Sequence, residues 1–92
     1  MSIKKTLGFR ETEHNGNRDS YKTFWKVEGE GHICVSSVLD PSMDLDETMI
    51  FRCDEDGNIS RYTELYTHFG YLSNENQHET VINDWLKVKG LL

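Results

Sequence analysis

The sequence predicts an α+β fold: a mostly antiparallel meander sheet of about five strands, with one C-terminal helix packed on a face. Three observations carry that expectation. Segments rich in β-branched and aromatic residues follow one another from Ile3 to Tyr66, separated by turn-forming residues. One stretch near the end, 76–89, has instead the helical recurrence of apolar side chains. The chain has 92 residues, of which 36% are hydrophobic and 11% aromatic, with a single proline. That composition suits one domain, 1–92, with a small core, folding alone or as a small oligomer.

The first two strand segments are "IKKTLGFRETE" (3–13) and "DSYKTFWKVE" (19–28). Asn15-Gly16 between them predicts a two-residue primed turn, because both positions then need positive φ. That register puts Leu7 opposite Phe24, with Tyr21, Trp25 and Val27 on the other surface. Both faces carry apolar residues, so one calls for a covering helix. "GEG" (29–31) breaks the pattern before a third strand, "HICVSSVL" (32–39). The turn-former "DPSMDLDE" (40–47) leads to a fourth strand, "TMIFRC" (48–53), and "ISRYTELY" (59–66) reads as the fifth. "THFGYLS" (67–73) reads as irregular. In the helix Val81, Ile82, Trp85 and Leu86 form one stripe, Asn76 with Glu79 makes a capping pair, and Gly90 is a stop.

The net charge is −6, unevenly placed. Residues 1–27 hold six Lys/Arg against three Asp/Glu, whereas 28–84 hold two against thirteen. Such a body disfavours nucleic acid and anionic lipid, which need cations to displace counterions. It fits a protein partner with a basic surface. No apolar run is long enough to span a bilayer, and the opening residues lack a signal peptide's apolar segment, so the expected location is the cytoplasm, with no membrane partner.

"CDEDGNIS" (53–60) places acids at alternate positions beside a glycine, as calcium loops do. A calcium loop of the helix-loop-helix type needs glycine sixth and Glu twelfth. Here glycine is fourth from Asp54 and the twelfth residue is Leu65. The flanks are strand-like, so Asp56-Gly57 is read as a hairpin turn that sets Phe51 opposite Tyr62. The second acidic cluster, Asp40, Asp44, Asp46 and Glu47, lies at the other end of the strand, about 20 Å away at ~3.3 Å per residue, and cannot share a site with the first.

Two cysteines without an export signal are expected to remain thiols, with no cofactor. A hairpin loop centred on 43 and 44 would nevertheless set Cys34 opposite Cys53 and His32 opposite Glu55. Those four side chains would make a candidate zinc set, although the tight Cys-x₂₋₄-Cys knuckles of structural zinc sites are missing. His32, Cys34 and Cys53 are also the residues on which a small enzyme would draw. No phosphate loop, nucleophile elbow or Walker-type lysine supports an enzyme. A third alternative is a nucleic-acid binder stacking bases on the Lys-aromatic strand 21–27, which the net charge opposes.

"ETMIF" (47–51), "DEDGN" (54–58), Glu64-Leu65 and "HETVINDWL" (78–86) occur in an order that resembles small uncharacterised proteins of bacteriophages and prophages. The resemblance covers roughly the second half of the chain. It implies a mobile-element context, in which small acidic proteins bind and modulate host proteins, and it brings no activity, cofactor or catalytic residue.

The function expected from the sequence is therefore a small interaction or regulatory module. Its candidate surface is Asp40, Met43, Asp44, Leu45, Asp46 and Glu47, where carboxylates steer a basic partner and the interleaved apolar side chains supply contact. Association with a second copy of the chain is compatible with the same composition.

Overall fold

A computed structural model describes Ile3–Lys5 and residues 11–90; for 4–5 and 11–15 it describes the backbone alone. The strands are β1 (Ile3–Lys5), β2 (Glu11–Asn15), β3 (Arg18–Val27), β4 (Gly31–Asp40), β5 (Leu45–Arg52) and β6 (Tyr66–Phe69), and the one helix is α1 (Glu75–Val88). All strand pairs are antiparallel. β3, β4, β5 and β6 form a meander, while β1 and β2 both pair with β3 along its outer side. The α+β class with an antiparallel sheet and one C-terminal helix is as predicted; the number and limits of the strands differ. Among the described residues no helix is long and apolar enough to cross a membrane.

Side-chain alternation divides the sheet into two faces. Trp25 and Val27 from β3, Ile33 and Val35 from β4 and Ile50 from β5 point to α1, where Val81, Ile82, Trp85 and Leu86 complete the core. The helical stripe thus packs as expected. Phe24, on the opposite face as expected, is buried there, and Phe51 on the same face meets the Tyr62 ring edge-on at 5.5 Å. Leu7, the predicted partner of Phe24, lies outside the described residues.

Four local expectations are corrected. The first turn is centred on Gly16 and Asn17, with Asn15 paired to Arg18. Gly16 takes φ +64° while Asn17 keeps negative φ, which is the turn type with glycine first, so the turn centre moves by one residue and each pairing by two, leaving the faces unchanged. In the β4–β5 hairpin Asp40 pairs with Leu45, because Pro41–Met43 forms a 3₁₀ turn closed by Asp44 in the left-handed region. The register is shifted by two, and Cys34 faces Phe51. The fifth strand is not 59–66 but Tyr66–Phe69. Ser60, Arg61, Thr63 and Glu64 are exposed, whereas Leu65 and Tyr66 pack on the core and draw the following residues onto β5. Phe51 and Tyr62 therefore touch without being ladder partners. Finally, the cap of α1 lies two residues earlier than expected. It is Asn74, whose carboxamide oxygen accepts from Asn76 N–H at 2.8 Å. The predicted stop holds: Gly90 follows the capping Lys89 with φ +79°.

Candidate interaction surface

The most organised polar group lies beneath α1. Trp25 Nε1–H donates to Thr23 Oγ1 at 2.7 Å, and Thr23 Oγ1–H donates to His78 Nδ1 at 2.7 Å. That leaves the imidazole proton on Nε2, where it donates to the Leu72 carbonyl at 3.0 Å and reaches Ser37 Oγ at 2.8 Å. Ser37 Oγ accepts from Leu72 N–H and donates to Thr48 Oγ1, whose own proton goes to the Gly70 carbonyl at 2.7 Å. Thr23, Ser37, Thr48 and His78 are each at most 1% exposed. Burial pushes the imidazole pKa down to about 4, although the Leu72 carbonyl opposes it.

A serine hydroxyl beside an imidazole is the pairing that nucleophilic catalysis uses. Here the Ser37 proton is committed to Thr48, the imidazole is already a donor toward Ser37, and neither atom meets solvent. The arrangement fastens β3, β4, β5, the 70–72 loop and α1 together. It is a structural network, which was not found from the sequence. The Ser36-Ser37 pair in an otherwise apolar strand was the only signal.

The zinc and thiol constellation is not assembled as predicted. Cys34 is fully buried opposite Phe51, and Cys53, whose N–H donates to the His32 carbonyl at 3.2 Å, sits across from His32. Glu55 falls in the turn beyond. The two cysteines are not bridged. Among the described residues no group of three or more His, Cys, Asp or Glu could hold an ion. His32 Nδ1 is buried without a hydrogen-bond partner. Burial, with the Asp54 charge adding, pushes the Cys53 thiol up to about 11, so it stays protonated and weakly nucleophilic at neutral pH. The quoted acidic turn is closed on itself: Asp54 Oδ1 accepts from the N–H groups of Asp56 and Asn58, both at 2.9 Å, and Oδ2 accepts from the Asn58 carboxamide. The Asn58 and Asp56 contacts hold the Asp54 carboxyl below its usual range.

The strand proposed to stack bases divides between the faces. Tyr21 and Trp25 are buried against α1, and only Lys22, Phe24 and Lys26 belong to the opposite face. A depression of about 280 Å³ there is bordered by Arg18, Lys22, Ser20, Ser36, Met49 and Tyr62. Arg18 also reaches Asp40, with Nη1 at 3.5 Å from Oδ2.

The acidic loop and β6 meet at one corner of the sheet. Asp40, expected to present its charge, instead turns inward: it is 6% exposed, caps the 3₁₀ turn and accepts from Ser42 N–H and Oγ–H. Those Ser42 bonds hold its carboxyl below the usual range. Leu45 is half-buried. Met43 is 65% exposed, and Asp44 and Asp46 are exposed beside it in sequence. The Asp46 carbonyl accepts from Gly70 N–H at 3.0 Å and its Oδ1 from Tyr71 N–H at 2.6 Å, binding the end of β6 to the loop. Glu47 pairs with Phe69, so the two share a face. Phe69 is 86% exposed, the largest value among the exposed large hydrophobics. It was missed because its segment looked irregular.

Charge follows the same geometry. No Lys or Arg lies between Lys26 and Arg52, or between Arg61 and Lys87. β4, most of β5 and most of α1 therefore contribute carboxylates without cations and β6 carries no charged Lys, Arg, Asp or Glu, whereas β1 and β3 hold Lys4, Lys5, Arg18, Lys22 and Lys26. The β6 side of the sheet is the acidic side. No family model, curated protein or solved structure matches this chain.

Proposed function

We propose that this protein is an interaction module that binds a partner protein with a basic surface through the corner where residues 43–47 meet β6. The observation that carries the reading is Phe69. A large aromatic ring 86% exposed on an edge strand, opposite Glu47, has no duty in the core. Met43 adds a second exposed apolar side chain on the adjoining loop, and Asp44, Asp46 and Glu47 bring negative charge to the corner with no ion-pair partner among the described residues. Apolar contact would supply the affinity, and the carboxylates would orient and speed encounter. Asp40 and Leu45 support the loop from within. The phage-like second half fits such a role, with a host protein as the partner.

The test is a pull-down from the native host lysate at low and high salt, using the unmodified protein, a Met43→Ser/Phe69→Ser variant and, as control, Tyr62→Ser at the exposed ring beside Phe51. A partner retained by the control, lost by the double variant and weakened by salt supports the reading. A partner held equally by all three proteins would move the binding site elsewhere and defeat it.

A further inference from the structure

We propose that β6 receives an extended, basic segment of the partner as an additional β-strand, seating one of its apolar side chains in the groove between β6 and α1. This rests on the reading of the corner as a binding site and goes further, because it assigns the recognition to main-chain hydrogen bonds as well as to side chains.

Among the described residues β6 is the outermost strand on its side of the sheet. Gly70 N–H donates to the Asp46 carbonyl, and by the alternation of an antiparallel ladder the next bonded pair is Thr48 with His68. The N–H and C=O groups of Thr67 and Phe69 then point away from β5, in the plane of the sheet, spaced as a further strand requires. Natural edges are commonly defended by lysine, proline or a covering element. Tyr66-Thr67-His68-Phe69 contains neither residue, and no Lys or Arg lies between Arg61 and Lys87 in the chain. A short edge without lysine or proline, beside an exposed aromatic ring, fits strand addition.

The side chains decide which segment fits. His68 shares the helix face with Thr48, and with Leu72, Gln77, Thr80, Val81 and Asp84 it lines a groove of about 190 Å³. In an added strand the residue facing His68 points into this groove, where Leu72 and Val81 supply apolar walls. Its two neighbours point to the opposite face, toward Phe69 and Glu47. Asp84 at the groove and Asp46 and Glu47 at the corner favour lysine or arginine at the flanking positions. A second copy pairing through its own β6 would instead bring two acidic edges together, which the like charges oppose.

The probe is a synthetic peptide of alternating lysine and valine, titrated into the intact isotope-labelled protein, with a lysine-glycine peptide of equal charge as control. The expected result is saturable amide shifts along β6 and the groove, slowed hydrogen exchange at the Thr67 and Phe69 amides, and binding at least about tenfold weaker for the glycine peptide. Thr67→Pro removes one outward N–H yet keeps Met43, Phe69 and every carboxylate. It should abolish peptide binding while leaving the thermal midpoint within a few degrees. If Thr67→Pro unfolds the protein, the exchange rates of the unmodified chain decide instead. Binding that survives Thr67→Pro, or shifts without protection at Phe69, overturns strand addition while leaving the corner as a side-chain site. Absence of saturable shifts, or self-association in place of peptide binding, overturns the inference outright. Loss of the lysate partner from the Met43→Ser/Phe69→Ser variant tests the broader reading separately.

Discussion

His78 Nδ1 and Thr23 Oγ1 are 2.7 Å apart although 55 positions separate them in the chain. That one contact determines the tautomer of the imidazole and fastens the first turns of α1 to the centre of the sheet. Because Thr23 Oγ1 accepts from the Trp25 indole, its own proton is free to point at Nδ1. A protonated His78 would aim a second hydrogen at an oxygen already receiving one. The site therefore selects the neutral ring by hydrogen-bond direction as well as by burial.

Stability should consequently fall on mild acidification. The folded pKa of His78, about 4, lies below the ordinary histidine value of 6.5, so the unfolded chain binds the proton more readily. The contribution is complete above about pH 6.5 and is lost as pH falls toward about 4, amounting to about 3 kcal/mol in total. Urea unfolding from about pH 7.5 to about pH 4.5 should show this decline, whereas His78→Gln should start less stable and vary little over the same range. The carboxyls held low in the fold, Glu30 by Lys89 and Asp54 by Asn58, lose their contributions only at lower pH. A flat profile between about pH 6.5 and about pH 4.5 would contradict the network.

Thr48→Val is the companion test, since it keeps shape and removes one hydroxyl. It leaves the Ser37 proton without its acceptor and the Gly70 carbonyl without its donor, both in the interior. The expected loss is about 1–3 kcal/mol in chemical denaturation. Because Gly70 follows directly on β6, exchange of the inward-facing His68 and Gly70 amides should also quicken. A variant as stable as the parent would show that Ser37 finds another partner at no cost.

The parts of this fold that were legible are those that depend on local periodicity. Val81, Ile82, Trp85 and Leu86 specify a helix face by spacing alone, and the opposed burial of Phe24 and Trp25 follows from strand alternation. What escaped depended on distant partners. Asp40 reads as a surface acid until Ser42 and Arg18 are placed around it, and one 3₁₀ turn after it moved Cys34 from Cys53 to Phe51. The two-residue change was enough to dissolve a four-ligand hypothesis, because period-two side chains stay on one face while their neighbours change. For the candidate site, Met43, Asp44, Asp46 and Glu47 were found from composition. Phe69 was not, since four residues of "YTHF" have little strand signal of their own and take that form only against β5.

The helix stripe gives a further stability prediction. Trp85 is 3% exposed and packs in the core cluster, with the Lys89 ammonium 4.9 Å above its ring. Trp85→Ala should cost ~3–5 kcal/mol, the range for a large aromatic removed from a core. Lys89→Met should cost much less, because that cation and its partner Glu30 are at the helix end and partly solvated. Thermal melts that rank the two substitutions the other way would mean that the helix is held by its C-terminal ion pair and not by its apolar face.

Phe69 and Phe51 separate binding from folding. Both are phenylalanines on strands and both belong to the face away from α1, but Phe51 is 5% exposed against Cys34 and Tyr62, and Phe69 is 86% exposed. Removing a buried ring leaves a cavity and removes the edge-on contact with Tyr62, whereas removing an exposed ring returns little apolar surface to water. Phe51→Ala is therefore expected to cost ~3–5 kcal/mol. Phe69→Ser should stay within about 0.5 kcal/mol of the parent, or rise above it in solubility as an exposed apolar group is lost. Denaturation curves for the pair are the measurement. If Phe69→Ser proved as damaging as Phe51→Ala, Phe69 would be holding β6 on the sheet, and its exposure would no longer point to a partner.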